Sequence, residues 1–373
     1  MANKCQVAIL AGGMGTRLAT ITGGLPKPMV PVLGKPLLQR QIALCRSYGF
    51  NRIALLTHHQ HEVISGYFGD GKKYGVSISY AVEAEARGTS GALRDALPMM
   101  DDRFLVLYGD TFIDVDLRRM WESHLSSGAD ATLFLHPNDH PHDSDLVDVN
   151  EQGVVREIHP YPHPECREAR NLVNAALYVL NRSGLADVMP IEGKEDIAKH
   201  MFPRMLEKGY YLSGYISPEY IKDMGTPERL YKVERDIVKG LPEQLSTRHL
   251  RSAIFLDRDG TINREMTHIK SPDQLTLLPG AAAAVRRLNR SGRLTVVITN
   301  QPVVARGDVT IDGLNEIHAR LDSELGAGGA FLDRLYFCPH HPDKGFPGEV
   351  SALKGNCTCR KPETGLIDHA CQQ

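Results

Sequence analysis

Two stretches of this chain carry residues suited to chemistry on phosphates. Near the start, an apolar run at 7–10 leads into LAGGMGTRL, and LPKPMVPVLGKP follows. Glycines such as Gly12, Gly13 and Gly15 let the backbone approach a phosphate closely and offer it N–H groups. A glycine-rich turn alone is more often only a tight turn. Here Arg17 follows at once, and Lys27 stands a short loop later between Pro26 and Pro28. Those prolines, with Pro31, fix the loop that presents Lys27. Two cations converging on phosphates stabilise the charge that builds during phosphoryl transfer. Near the end, the apolar run AIFL leads into Asp257-Arg258-Asp259-Gly260-Thr261. Two acids at alternate positions after a buried strand are costly unless they bind metal or react. For such a pair alone, an acidic turn is the commoner explanation. Further on, Cys338-x-His340 and Cys357-x-Cys359 supply three thiolates and one imidazole. That is the ligand set of a closed structural zinc site, with His341 competing for the imidazole position.

Alternating elements must position these residues. Short apolar runs at 7–10, 53–57, 77–82, 104–107 and 131–135 alternate with amphipathic helical stretches. This predicts an α/β sheet with ligands at the carboxyl ends of its strands. The pattern stops around 239–251, where KGLPEQLSTRHLR is polar and broken by Gly and Pro, as in a linker. A second α/β pattern starts at 253–256 and continues at 294–298 and 335–337. The chain therefore divides into residues 1–238, a linker at 239–250, and residues 251–373. Its 373 residues suffice for two domains, each with its own core. The His- and Pro-rich runs at 136–145 and 159–165 predict loops. With 42% hydrophobic and 24% charged residues, the composition is that of a soluble globular protein. A net charge of −2 gives no reason to expect a nucleic-acid or membrane-surface partner. No apolar stretch is long enough to span a bilayer, and the start lacks a secretory pattern. Of the seven cysteines, four are scattered, as in a reduced cytoplasmic enzyme.

The run GGMGTRLATITGGLPKPMVPVLGKP resembles the signature of the sugar-1-phosphate nucleotidyltransferase family, over roughly residues 1–238. The resemblance implies a Rossmann-like sheet domain. EARGTSGAL, with Gly88 and Thr89, resembles the family's base-binding loop. LYGD sets Gly109 and Asp110 at a strand end, and KDMGTP sets Asp223 in the second metal position. Mg²⁺ held jointly by Asp110 and Asp223 is implied, and two carboxylates suit a hard octahedral cation. The implied reaction is in-line attack of a sugar phosphate oxygen on the α-phosphorus of a nucleoside triphosphate, with pyrophosphate leaving. Arg17 and Lys27 would hold the phosphates. Leu10, Ala11, Gly12, Gly13, Gly15 and Thr16 would line the nucleotide. Glu83 stands where thymidylyl- and uridylyl-transferring relatives usually have Gln. A carboxylate can accept from both the ring N–H and the exocyclic amine of guanine, which favours GTP over ATP. Glu85 is the competing residue. Asn174 in NAALYVL, and Glu195 and Asp196 in GKEDI, resemble the sugar-binding positions. Where the family often has Glu-Lys-Pro, this chain has Ile158-His159-Pro160, a weaker and pH-dependent cation. HPNDHPHDSDLV is more similar to guanylyltransferases for D-glycero-D-manno-heptose 1-phosphate than to those for mannose 1-phosphate.

DRDGTIN resembles the haloacid dehalogenase phosphatase family, an α/β fold. That implies Asp257 as nucleophile, Asp259 as general acid and then base, and both as Mg²⁺ ligands. Thr299 and Asn300 match the phosphate-contacting second motif, and Lys361 in CRKP matches the lysine that steadies nucleophile and phosphate. The cysteine-histidine loop implies a structural Zn²⁺ on Cys338, His340, Cys357 and Cys359, with Arg360 facing a remote phosphate. Among relatives, this loop is closer to the heptose 1,7-bisphosphate phosphatases than to the histidinol-phosphate phosphatases. Two features depart from the family. Pro302-Val303-Val304 replaces the usual Ser-Gly-Ile. The chain stops at Gln373, before a further acidic motif, so the second domain reads as incomplete and weak or inactive as a phosphatase. Together the halves imply a bifunctional maker of GDP-D-glycero-α-D-manno-heptose in a bacterial cytoplasm. GTP and heptose phosphates are its expected partners, and a homo-oligomer is left open. The alternatives are a mannose 1-phosphate guanylyltransferase and a non-catalytic nucleotide-sugar sensor.

Overall fold

The structure is a computed structural model and describes residues 5–13, 23–163, 168–189 and 192–373. Its chain forms two compact units. The first comprises Met1–Leu135, Val149–Pro160 and Asn174–His249; the second comprises His136–Asp148, Tyr161–Val173 and Leu250–Gln373.

In the first unit, strands Arg103–Tyr108, Gln6–Leu10, Arg52–Thr57 and Ser77–Val82 lie parallel in that order. Strand Val173–Asn181 runs antiparallel beside Arg103–Tyr108. Strand Ala131–His136 follows on its far side, paired with the parallel Leu212–Ile216. Val7, Ala8 and Ile9, like Phe104 through Leu107, are fully buried. Such unbroken apolar runs are what a parallel sheet covered on both faces requires. The strand ends at Leu10, Val82 and Tyr108, which precede the chemistry-bearing loops, lie at the same carboxyl edge of the parallel sheet.

Two features fix the strand end that carries Asp110. Helix Leu37–Ser47 buries Leu38, Ile42 and Cys45 against the sheet. From the same helix, the buried Gln41 amide donates to Tyr108 O at 2.8 Å and Thr111 O at 2.6 Å, which clamps the turn between them. The short ladder of Thr111–Asp114 with antiparallel Tyr220–Asp223 then sets Asp223 opposite Thr111. Helix Pro227–Val238 starts directly after it. Thr226 caps its first turn and proline occupies its first position, both favourable at a helix start.

The stretch expected to be a linker is more ordered than its composition implies. It carries the helix Leu241–Leu245, and Leu241 and Leu245 pack on Val30, Phe112 and Tyr220. Two leucines four residues apart suffice to anchor one turn once a core offers them a surface.

The second unit contains a parallel three-stranded sheet in the order Ala253–Leu256, Leu294–Asn300, Arg334–Cys338. Helix Ile311–Ala327 buries Leu314, Ile317, Leu321 and Leu325 in its core. This unit is discontinuous, whereas the sequence suggested a single cut near residue 239. Arg170 Nε donates to the buried Asp322 at 2.7 Å, and Asn171 N donates to the same carboxylate at 3.2 Å. Gly326 lies so close to Pro141 that an added Cβ would meet its Cγ at 2.6 Å. Partners more than 150 residues apart leave no local trace in composition or periodicity. Among the described residues, no helix is long and apolar enough to cross a membrane.

Candidate active site

The backbone of the first unit brings Asp110 and Asp223 together. Met224 N donates to Asp110 O at 3.0 Å across the ladder end. Lys27 Nζ forms an ion pair with Asp110 and lies 3.7 Å from Asp223 Oδ1. Arg229 Nη1 holds the other oxygen of Asp223 at 2.5 Å. Two carboxylates are thus balanced by two cations. Gly109 makes the turn possible: its N donates to Leu10 O at 2.9 Å, and a Cβ there would sit 2.9 Å from that oxygen. Ala11 N donates to Leu56 O at 2.7 Å, so the end of the first strand is fixed between its neighbours.

Gly12 lies against Glu83. An added Cβ at Gly12 would come within 3.2 Å of His58 Cβ and 3.4 Å of Glu83 Oε2. Gly13 has open space around it. The Glu83 carboxyl is half-buried; burial raises it above the usual carboxylate range, partly offset by the Arg87 N–H and the nearby His58. Glu85 is exposed. Gly15, Thr16 and Arg17 fall outside the described residues.

Gly88, Thr89, Glu195 and Asp196 form one joint. Gly88 has φ +76°, and a Cβ there would meet Glu195 O at 2.2 Å, so backbone-to-backbone contact requires glycine. Thr89 Oγ1 donates to Asp196 Oδ2 at 2.9 Å. The other Asp196 oxygen caps the following turn through Ala198 N at 2.8 Å and Lys199 N at 3.2 Å. Both Glu195 oxygens accept from the single nitrogen Arg204 Nη2, at 2.9 and 3.1 Å. Both acids, expected to hold sugar, have protein partners here, and Asp196 ties the Gly88–Thr89 loop to its neighbour. Asn174 is half-buried and its Nδ2 has no hydrogen-bond partner among the described residues. Two residues on, Ala176 sits at φ +56°, a strained position for a non-glycine residue. His159 is buried, with Glu157 Oε1 at 3.4 Å from its Nδ1.

In the second unit, Asp257 ends its strand half-exposed, with Lys361 Nζ at 2.6 Å. Lys361 is held by its neighbours: its Nζ donates to Ile298 O at 3.0 Å, and its backbone exchanges hydrogen bonds of 3.0 and 3.1 Å with the Asn300 amide. Asp259 points into a closed network. It accepts from Arg258 at 2.9 to 3.1 Å, from Asn263 at 2.9 Å and from Gln301 at 2.8 Å. Thr299 joins through Gln301, 3.0 Å away. Burial would raise the Asp259 carboxyl, but the Arg258 guanidinium and these hydrogen bonds outweigh it and hold it below the usual range. It rests as a carboxylate, the form a base needs. Acting as an acid requires the Arg258 pair to open first.

Cys338, His340, Cys357 and Cys359 converge with all ligand atoms within 4.8 Å of one another. Cys359 Sγ lies 3.1 Å from Cys338 Sγ, 3.4 Å from Cys357 Sγ and 3.3 Å from His340 Nδ1. Ligands around a tetrahedral zinc stand roughly 3.5–3.8 Å apart. Cys338 Sγ lies 3.6 Å from both His340 Nδ1 and Cys357 Sγ, and the contacts of Cys359 are a few tenths of an ångström shorter, so the donor set suits zinc once Cys359 shifts slightly outward. Burial drives the Cys338 thiol far above its ordinary value, and metal entry would release that proton. His341 belongs elsewhere: its Nδ1 accepts from Asp343 N at 3.1 Å, and Arg306 faces its other ring nitrogen. Arg360 Nη1 donates to His340 O at 3.2 Å.

Several site residues escaped the sequence reading. Gln41 and Arg204 carry no local signal. Arg229 had one, since T-P at 226 and 227 marks a helix start and the first turn faces back toward Asp223. Arg258 was in view between two acids but was passed over.

The model of the family described as nucleotidyl transferase matches residues 6–240. The chain belongs to the nucleotidyl transferase family. A D-glycero-alpha-D-manno-heptose 1-phosphate guanylyltransferase of Aneurinibacillus thermoaerophilus is 32% identical over 238 residues, 62% of this chain and 98% of that one. A mannose-1-phosphate guanylyltransferase of Mycobacterium tuberculosis is 31% identical over 64% of this chain and 66% of its own length. The structure of HddC from Yersinia pseudotuberculosis complexed with GMP-PN has a TM-score of 0.53 and 26% identity, covering 62% of this chain and 99% of that one. Its likeness bears out a mixed α/β nucleotidyltransferase fold with a central sheet. A D-glycero-beta-D-manno-heptose-1,7-bisphosphate 7-phosphatase of Rhodopseudomonas palustris is 41% identical over 117 residues. That match covers 31% of this chain and 63% of the phosphatase.

Proposed function

We propose that the family domain is a sugar-1-phosphate guanylyltransferase, and that its sugar is D-glycero-α-D-manno-heptose 1-phosphate. The observation that carries the reading is the Asp110–Asp223 pair, built at the end of a ladder with Lys27 between its carboxylates. A strand-end pair of acids, with phosphate oxygens and waters, suits Mg²⁺, which supplies charge neutralisation at the reacting phosphates. Lys27 and Arg17 hold phosphate oxygens. Gly12 and Gly13 let the nucleotide lie against the backbone. Glu83 accepts from the N1–H and the exocyclic amine of guanine, in a half-buried setting that strengthens the discrimination. Asn174 offers its unpaired amide to a sugar hydroxyl. The sugar phosphate oxygen attacks the α-phosphorus of GTP in line, and pyrophosphate leaves.

For the second unit we propose a haloacid dehalogenase-type phosphomonoesterase site with Asp257 as nucleophile, steadied by Lys361 and set beside a structural Zn²⁺ on Cys338, His340, Cys357 and Cys359. The phosphatase match and the Asp257–Lys361 pair support this reading. A heptose bisphosphate would then be its substrate, and its product the substrate of the first unit.

The test is pyrophosphate release from GTP with Mg²⁺ and the heptose 1-phosphate, against mannose 1-phosphate and ATP. Glu83→Gln is expected to raise the KM for GTP about tenfold or more, because one guanine donor loses its acceptor. Faster turnover of mannose 1-phosphate would favour the second reading, which the mycobacterial relative supports. No turnover with any pair would move the reading to a nucleotide-sugar sensor.

A further inference from the structure

Resting on that transferase reading, the two cations at the Asp110–Asp223 pair invite a second question. Lys27 approaches from the loop that follows the glycine turn and faces Asp110 and Asp223 Oδ1. Arg229 approaches from helix Pro227–Val238 and faces Asp223 Oδ2. The two cations thus grip opposite oxygens of one carboxylate. The Lys27 side chain is only 14% exposed, whereas that of Arg229 is 39% exposed. Once a divalent cation sits on the two carboxylates, neither cation is needed there as a counter-charge. A guanidinium released in that way is a planar fork of donors, and it matches phosphate oxygens two at a time. Its backbone stays fixed, since Arg229 N donates to the capping Thr226 hydroxyl at 3.4 Å, so only the side chain must swing.

We propose that Arg229 is a counter-cation that competes with the divalent metal at Asp223 and, when the metal enters, takes the phosphate of the sugar 1-phosphate. Lys27, on the glycine-turn side, serves the nucleotide phosphates. Arg229 is thereby a determinant of sugar-phosphate affinity, and metal and acceptor binding are linked through one side chain.

The test uses the full chain, with Arg229→Ala and Arg229→Lys. Binding of Mn²⁺ alone, followed through the resonance of the free ion, is expected to tighten roughly threefold or more in Arg229→Ala, because a competing cation is gone. The KM for heptose 1-phosphate is expected to rise about tenfold or more, with the KM for GTP within about twofold of the parent. Arg229→Lys should recover part of the sugar-phosphate affinity, since it keeps the charge and loses the fork. Unchanged Mn²⁺ affinity in Arg229→Ala overturns the proposal. So does an unchanged KM for the sugar phosphate, or a rise confined to GTP. If the parent protein turns over no sugar phosphate, the transferase reading has failed instead, and the Mn²⁺ comparison still decides whether Arg229 competes for Asp223.

Discussion

Each unit sets an arginine against an aspartate, and the two pairs behave oppositely. Arg229 and Asp223 are both about two-fifths exposed, side by side at the rim of a site. Arg258 is 1% exposed, and its guanidinium is committed to Asp259 and Gln301. The first pair costs little to break, because water replaces each partner. The second cannot be broken cheaply, because Arg258 left alone is a charge without solvent. An exposed pair is therefore suited to exchange, giving up an aspartate to metal and an arginine to phosphate. A buried pair is suited to holding one carboxylate in one protonation state and one direction. The difference lies in burial rather than in residue type.

Four experiments would break or sharpen that contrast. The largest effect belongs to the proposed zinc. One zinc per chain is expected by metal analysis. Stripping it should destabilise the second unit by several kcal/mol, since structural zinc binding is worth on the order of 10 kcal/mol in small domains. Unfolding monitored with and without chelator reads this, and an unchanged profile would remove the zinc. Next, Asp110→Asn should lower Mg²⁺-dependent transfer about a thousandfold with little change in stability. Near-parental transfer would dissolve the metal assignment. Third, Arg258→Met should cost roughly 3–5 kcal/mol of stability, while Arg229→Ala should cost less than about 1 kcal/mol. Equal costs in denaturant titrations would mean that burial does not separate the two pairs.

The smallest effect is a pH dependence. Asp333 is buried, and burial pushes its carboxyl up to about 6, although it accepts a 2.7 Å hydrogen bond from Thr295 N. Folding then favours the protonated form. The second unit should lose stability as pH rises from about 4, the unfolded value, to about 6, and lose nothing further above that. Asp333→Asn should flatten this window and gain up to about 3 kcal/mol at neutral pH. A parental curve that rises between those pH values would contradict the assignment.

Much of the chemistry was legible because its residues stand next to their own signals. Lys27 lies between prolines, Asp110 follows a buried strand, and each CxH or CxC clip brings two metal-capable side chains at once. The strands at 53–57, 77–82 and 131–135 were legible for the same reason, as apolar runs of the right length. What was not legible depends on partners far away in the chain. Glu195 and Asp196 resemble sugar-binding positions, and no local pattern announces that their carboxylates also pair with Arg204, Thr89 and a turn. The run at 239–250 looked open because its two leucines meet a surface only the fold supplies.

By itself, the sequence determined which groups are present: carboxylates at strand ends, cations close to a glycine turn, three thiols with an imidazole, and apolar runs that must become buried strands. Residue chemistry and short-range spacing suffice for that. Only the tertiary structure decided how those groups share one another. It set Lys27 between two aspartates, brought Arg229 against one of them, and enclosed Arg258 with Asp259. It also joined Arg170 to Asp322 across 152 residues. Charge balance and burial are properties of an enclosed space, and no local stretch of chain encloses one.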